Sequence, residues 1–182
     1  GESWGRKISG RMFLHDRHVE LKSVDAAIAV GLAYATEDRK RFGLNLIDDI
    51  RRNISAASLH RITHRGWVNP NEEIQRAEDF RRSLRIKTPS VLNIVGQLSG
   101  GNQQKVVLSR ELGRPLRLLV ASQPTRGLDV GSIEFVHKRI IAERDSGTPC
   151  VIVSTELDEV LNLADRIAVM YRGGIIGIVP AN

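Results

Sequence analysis

The last third of the chain alternates short apolar runs with amphipathic stretches, and few architectures accept that spacing. Leu118 to Ala121 is apolar and too short for a helix, so it reads as a strand. Ser132 to Arg144 has helical spacing, Val151 to Val153 reads as a strand, Leu157 to Ala164 as a helix and Ile167 to Tyr171 as a strand. A Gly173-Gly174 turn then leads to a strand over Ile175 to Val179. Strands separated by helices must cross over rather than fold back as hairpins, which predicts an α/β fold with parallel pairing.

Upstream the texture differs. Ile8 to Leu21 alternates loosely around Asp16-Arg17 and reads as a β-hairpin. Ser23 is placed to cap a helix from Val24 to Val30 that Gly31 ends, and Leu32 to Ala35 reads as a short buried strand running into the charged loop Glu37 to Arg41. From Ile47 to about Leu98 the pattern is helical. Asn69-Pro70-Asn71-Glu72 is a start signal, with Asn as N-cap, Pro at the first helical position and Glu placed to reach back. Ile74, Ala77, Phe80 and Leu84 follow at helical spacing until Lys87-Thr88-Pro89 breaks the run. The expected division is therefore 1–43, a helical subdomain 44–98, and 99–182. The middle block reads as an insertion between two sheet-forming regions.

Composition narrows the function classes. The chain has 182 residues, 41% hydrophobic and 26% charged, which suits one globular domain and excludes wholesale disorder. Its single Cys150 excludes an internal disulfide or a multi-cysteine zinc site, and its apolar setting predicts a buried structural thiol. The five histidines lack ligand spacing, so no metal site is expected. No run approaches the ~18 apolar residues of a membrane span. Gly1 to Lys7 has no signal-peptide core, so the expected setting is reduced and cytoplasmic. The net charge of +6 permits an acidic partner. However, Glu72 to Lys87 interleaves five basic side chains with four acidic ones, and aromatics are 4%. That argues against a nucleic-acid groove.

The sharpest local feature is Leu98-Ser99-Gly100-Gly101-Asn102-Gln103-Gln104-Lys105, followed by the helical run Val106 to Leu112. A serine and two glycines at a helix start expose backbone N–H groups at the positive end of the dipole, where a phosphate binds. The same residues also suit a serine cap with a flexible turn ahead of a core helix. Physics alone leaves both open.

In combination the motifs go further. Leu98 to Gln104 resembles the signature motif of ATP-binding-cassette (ABC) transporter ATPases. The strand Leu118 to Ala121, Pro124-Thr125 and Arg126-Gly127-Leu128-Asp129 follow as that family's D-loop region would. Thr36-Glu37-Asp38-Arg39-Lys40 resembles the Q-loop region of the second cassette of sugar importers, with Glu37 at the Gln position. The resemblance runs from Ile8 to Val179. It implies a cassette-ATPase core (P-loop NTPase-like) with a helical subdomain. The expected pieces become a partial β subdomain with the Q-loop region, the helical subdomain, and the signature helix with the α/β core.

The departures from the family pattern matter as much. No Gly-x-x-x-x-Gly-Lys-Ser/Thr loop occurs, so the fold is expected to lack the phosphate-loop strand and helix. Where the family places a Mg-binding Asp and a catalytic Glu, this chain has Ser122 and Gln123, a weak neutral ligand and a side chain that cannot act as base. At the switch-histidine position it has Ser154-Thr155-Glu156. Inactivity of the isolated chain is the expectation, with no catalytic residue.

The half that acts across an interface is retained. Paired cassettes of this family sandwich ATP between one Gly-rich loop and the other's signature motif. The resemblance therefore implies that Ser99, Gly100, Gly101, Asn102 and Gln103 face ATP held by a partner cassette, and that Asp129 lies at that interface. A helix-capping role fits Asp129 equally. Asp158 and Glu159 read as acids complementing a helix dipole. ATP and Mg are expected only with the partner. Membrane-embedded permease subunits would be the other partners, at the inner face of the cell membrane.

Up to about Val107 the texture is similar to sugar importers, as in Gly43-Leu44-Asn45-Leu46, and from Leu118 to nucleoside importers. That contrast suggests a truncated or composite chain. A missing strand would leave a sheet edge open to self-association. The competing expectation is a catalytically dead, basic module of the same fold that docks to protein or nucleic acid.

Overall fold

The computed structural model describes residues 9–14 and 16–181. An antiparallel hairpin of β1 (Met12–Leu14) and β2 (Arg17–Val19) pairs Leu14 with Arg17. Arg17 thus belongs to the strand, and Asp16, at φ 58°, carries the turn. The expected start at Ile8 lies outside the described residues. The hydroxyl of Ser23 accepts from the Ala26 amide at 3.1 Å and starts α1 (Val24–Ala29), which Gly31 follows at φ 83°.

Next comes β3 (Leu32–Ala35). The expected loop beyond it tightens into one π-helical turn, Arg39–Gly43, because the Asp38 carboxylate accepts from the Arg41 amide at 3.0 Å. The helical block is more broken than its periodicity predicts. It holds α2 (Ile50–Ser55), a 3-10 segment over Ala56–Arg61, a two-residue hairpin of β4 (Thr63–His64) with β5 (Trp67–Val68), and α3 (Pro70–Ser83).

Asn69 caps α3 as expected. Glu72 reaches back to the Asn69 side-chain amide (3.0 Å) and to His64 (2.9 Å) rather than to the Asn69 backbone, whose N–H goes to Ile62. The helix stops at Ser83, before Lys87-Thr88-Pro89, where the chain turns through Arg85 at φ 50°.

The remaining elements are α4 (Gly100–Leu112), β6 (Leu118–Ser122), α5 (Val130–Asp145), β7 (Cys150–Val153), α6 (Leu157–Leu163), β8 (Arg166–Tyr171) and β9 (Gly174–Pro180). β3, β6 and β7 form a parallel sheet in that order, Ala33 beside Leu119 and Val120 beside Val151. The last hairpin turns at Arg172-Gly173, both at positive φ, one residue earlier than Gly173-Gly174.

One apolar core links sheet and helical block. Ala33, Leu119, Val106, Val107 and Leu108 are fully buried and continue through Ile50, Ile54 and Val95. Each buried valine or leucine contributes about 1.5–3 kcal/mol, so α4, at the centre, is the best-anchored helix. Among the described residues β7 pairs with β6 alone, and Val151, Val153, Met170 and Ile176 are exposed. Cys150 is half-buried on β7 rather than fully buried, because it lies on this open side.

Candidate functional site

The N-terminus of α4 is where the expected site residues meet. The first amides of any helix lack intrahelical acceptors, and the side chain of Ser99 does not cap them here. Its hydroxyl instead accepts from the Asn102 side-chain amide at 2.9 Å, while the Asn102 oxygen accepts from the Lys87 amide at 2.8 Å. Asn102 therefore fixes the turn from behind and ties it to the helical block. Gln103 is 3% exposed and faces the core, with its amide near the Val95 and Gly96 carbonyls. Ser99 is exposed and Gly101 buried.

Gly101 has no room for a side chain. A Cβ there would lie 2.1 Å from the Ser132 hydroxyl. Asp129, the N-cap of α5, holds that hydroxyl at 2.7 Å and accepts from the Ser132 amide at 3.0 Å. These two donors, hydroxyl first, keep the Asp129 carboxyl below its ordinary pKa. The 126–129 loop thus lies directly against the α4 turn, and capping is what Asp129 visibly does.

The loop after β3 reaches the same place. Arg39 donates to the Arg126 carbonyl at 3.1 Å, and one of its nitrogens would lie 2.6 Å from a Cβ on Gly100. Glu37 is exposed and pairs with Arg126 at 3.4 Å. Glu37, Asp38, Arg39, Lys40 and Arg126 line an open cavity of about 370 Å³. Such a mixed-charge wall beside unsatisfied helix amides can take an anion. On α4 itself, Lys105 donates to the Arg85 carbonyl and lies 4.4 Å from the Phe135 ring centre. Burial, then the neighbouring Lys87, lowers its pKa, with Arg85 adding a smaller push against the pull of Asp129.

Ser122 and Gln123 end β6 in a different setting. Gln123 stands at φ 47°, its N–H on the Val153 carbonyl at 2.7 Å and its side-chain amide on the Thr155 hydroxyl at 3.2 Å. Two of the positions expected to depart from the resembled pattern, Gln123 and Thr155, thus bond to each other. The Ser154 hydroxyl accepts from the Glu156 amide at 3.0 Å, and Glu156 and Thr155 are exposed. Among the described residues no three His, Cys, Asp or Glu side chains gather as a metal would require. The α4 amides suit phosphate oxygens; Ser122 and Gln123 do not suit a divalent cation.

Glu159 lies in the first turn of α6 as expected, but sequence reasoning missed its bonds. It is 4% exposed, and its Oε1 accepts from the Thr125 hydroxyl at 2.7 Å and from His137 Nε2 at 2.9 Å. It does not simply face the dipole of α6. Its neighbour Asp158 does stay exposed in the first turn.

Comparison with solved structures decides the architecture. A dimeric ATP-binding cassette in a post-hydrolysis state, bound to ADP and Pi, superposes with a TM-score of 0.80 at 18% identity, covering 98% of this chain and 76% of that one. The fold is that of an ATP-binding cassette. A nucleotide-free cassette from an ABC transporter gives a TM-score of 0.78 at 19% identity, over 97% of this chain and 72% of its own.

No protein-family model matches the chain. Among curated proteins, the L-arabinose transport ATP-binding protein AraG of Geobacillus stearothermophilus is 45% identical over 179 residues, 98% of this chain and 35% of the relative. The xylose import ATP-binding protein XylG of Thermoanaerobacter pseudethanolicus is 39% identical over 176 residues, 97% of this chain and 35% of its own length. The guanosine import ATP-binding protein NupO of Bacillus subtilis is 38% identical over 173 residues, 94% and 34% respectively. The chain thus spans about a third of the length of these relatives. Sugar and nucleoside relatives alike align across nearly all of it.

Proposed function

We propose that this chain is part of the ATP-binding subunit of a sugar or nucleoside ABC importer, and that it acts by presenting its signature turn to ATP held in a second cassette. The observation that carries the reading is the uncapped start of α4, with the 126–129 loop packed against it. The Ser99 hydroxyl and the Gly100 and Gly101 amides face the γ-phosphate. Asn102 braces the turn, Gln103 anchors it to the core, and Asp129 stands at the interface between cassettes.

In this reading the chain's own degenerate centre performs no hydrolysis. Gln123 cannot take a proton from water, Ser122 is a poor Mg ligand, and neither Thr155 nor Glu156 supplies an imidazole. ATP supplies the phosphate that bridges two cassettes, and closure follows because only the closed pair offers it both surfaces. Residues 44–98 serve as the helical subdomain. That block and the Glu37 loop face permease subunits, with the protein peripheral to the cytoplasmic side of the membrane. The open side of β7 is a place for self-association or for a strand from outside these 182 residues.

Calorimetric titration of the purified chain with Mg-ATP tests the dependence on a partner. The reading predicts no micromolar binding. Micromolar binding by the chain alone would overturn it, because it would demand a complete phosphate site within these residues.

A further inference from the structure

A buried polar cluster outside the α4 turn lies behind the 126–129 loop. Glu159 on α6 accepts two hydrogen bonds on Oε1, from Thr125 at the end of the β6 connection and from His137 on α5. The hub joins three elements through one oxygen. Thr125 is 8% exposed and Glu159 4%, and Glu159 Oε2 is buried without a partner. Burying a carboxylate with one oxygen unsatisfied costs stability, and an apolar pair in this place would avoid that cost. What the carboxylate provides instead is a fixed position for Thr125.

Thr125 is the foot of the loop. Its carbonyl accepts from the Leu128 amide at 3.1 Å, closing the turn that carries Arg126 and Gly127. Within that turn the Gly127 carbonyl lies 3.6 Å from where a Gly100 Cβ would be, and beyond it Ser132, held by Asp129, packs on Gly101. A side chain on α6 is thereby connected to the start of α4 through one hydroxyl and one four-residue loop.

We infer that Glu159 is a positioning residue for the signature turn, acting through Thr125 and the 126–129 loop. The inference rests on the proposed role of that turn in facing a partner's ATP. Without the Thr125–Glu159 bond the loop keeps its sequence and its Asp129 cap. It loses its fixed distance from Gly100 and Gly101, and with it a single geometry for the phosphate.

The test pairs Thr125→Val, which keeps the shape and removes the hydroxyl, with Thr125→Ser, which keeps the hydroxyl, and adds Glu159→Gln. Amide hydrogen exchange on the 182-residue chain is the first readout. Thr125→Val is expected to speed exchange at the hydrogen-bonded amides of Arg126, Leu128 and Gln103 by about tenfold, the weight of one hydrogen bond, with β3 and β6 unchanged. Thr125→Ser restores the slow exchange, and Glu159→Gln, which keeps one acceptor oxygen, falls between them.

Uniform acceleration across the sheet, or no change in the loop, overturns the inference. The second readout is Mg-ATP-dependent sedimentation with a cassette that carries its own phosphate loop. Weaker association for Thr125→Val, with rescue by Thr125→Ser, supports the inference, and equal association overturns it. If the wild-type chain does not associate at all, the partner reading fails while the exchange data still decide the role of Glu159.

Discussion

The hydroxyl of Ser132 occupies the space beside Gly101, 2.1 Å from where a Cβ would stand, and Asp129 holds it there. This contact between the first turns of α4 and α5 makes one surface of two segments that are separate in sequence. It also explains a glycine whose backbone φ is unremarkable.

Replacing that glycine gives the first prediction. Gly101→Ala forces the two helices apart and is expected to cost about 1–3 kcal/mol, as overpacking does. Ser132→Gly in the same chain recovers part of it, although glycine inside α5 itself costs up to about 1 kcal/mol. Urea midpoints check both. A Gly101→Ala variant as stable as wild type would mean that the helices are not in contact.

Asp129 gives a pH prediction. The Ser132 hydroxyl and amide hold its carboxyl below the ordinary range, so the folded state binds the proton less tightly than the unfolded state. Its stabilisation is present above the unfolded carboxylate pKa and is lost as pH falls through the lowered folded value. Asp129→Asn keeps a capping oxygen but no charge. The gap in urea midpoint between wild type and this variant is expected to shrink on acidification, and a constant gap would contradict the assignment.

The helical block has a polar anchor of its own. Glu73 on α3 accepts from the Ser55 hydroxyl at 2.5 Å and lies 3.4 Å from Arg51, which also pairs with Asp49 at 2.8 Å. Glu73→Ala leaves buried donors without their acceptor and is expected to destabilise by about 2–3 kcal/mol, at or below the range for broken buried pairs because Asp49 remains. Glu73→Gln, which keeps an acceptor for Ser55, should lose less. Chemical denaturation distinguishes the two.

Cys150 supplies a check on β7. Burial, and secondarily Glu143, raises its thiol pKa against a smaller opposing effect of Arg144. The thiol therefore stays protonated, and iodoacetamide is expected to label native protein more slowly than unfolded protein at the same mildly alkaline pH. The sign also fixes a stability trend. The contribution is full below the unfolded thiol pKa and is lost as pH rises through the raised folded value, so Cys150→Ala flattens the alkaline limb. Equal labelling rates in both states would contradict this setting.

The sheet was legible because β3, β6 and β7 are short apolar runs bounded by turns and helices, and periodicity is a local signal. Asn69 and Ser23 were legible as caps for the same reason. The π-helical turn at Arg39–Gly43 was not, since a run of basic residues has no helical pattern, and it is Asp38 that imposes the turn. The hub at Glu159 was beyond local reasoning altogether. Its partners Thr125 and His137 lie 34 and 22 residues away, and only the packing of α5 and α6 brings them together. Lys87 and Asn102, 15 residues apart, are a further case. The helix-start pattern at Ser99 to Gln104 was therefore readable from the sequence, and its supports were not.

The most direct measurement of the central claim is sedimentation of this chain with a hydrolysis-deficient cassette that carries a phosphate loop, with and without Mg-ATP. The account predicts a complex that forms only with nucleotide and is lost in Ser99→Arg, whose bulk would fill the open side of the turn. Association indifferent to ATP, or unaffected by Ser99→Arg, would contradict it.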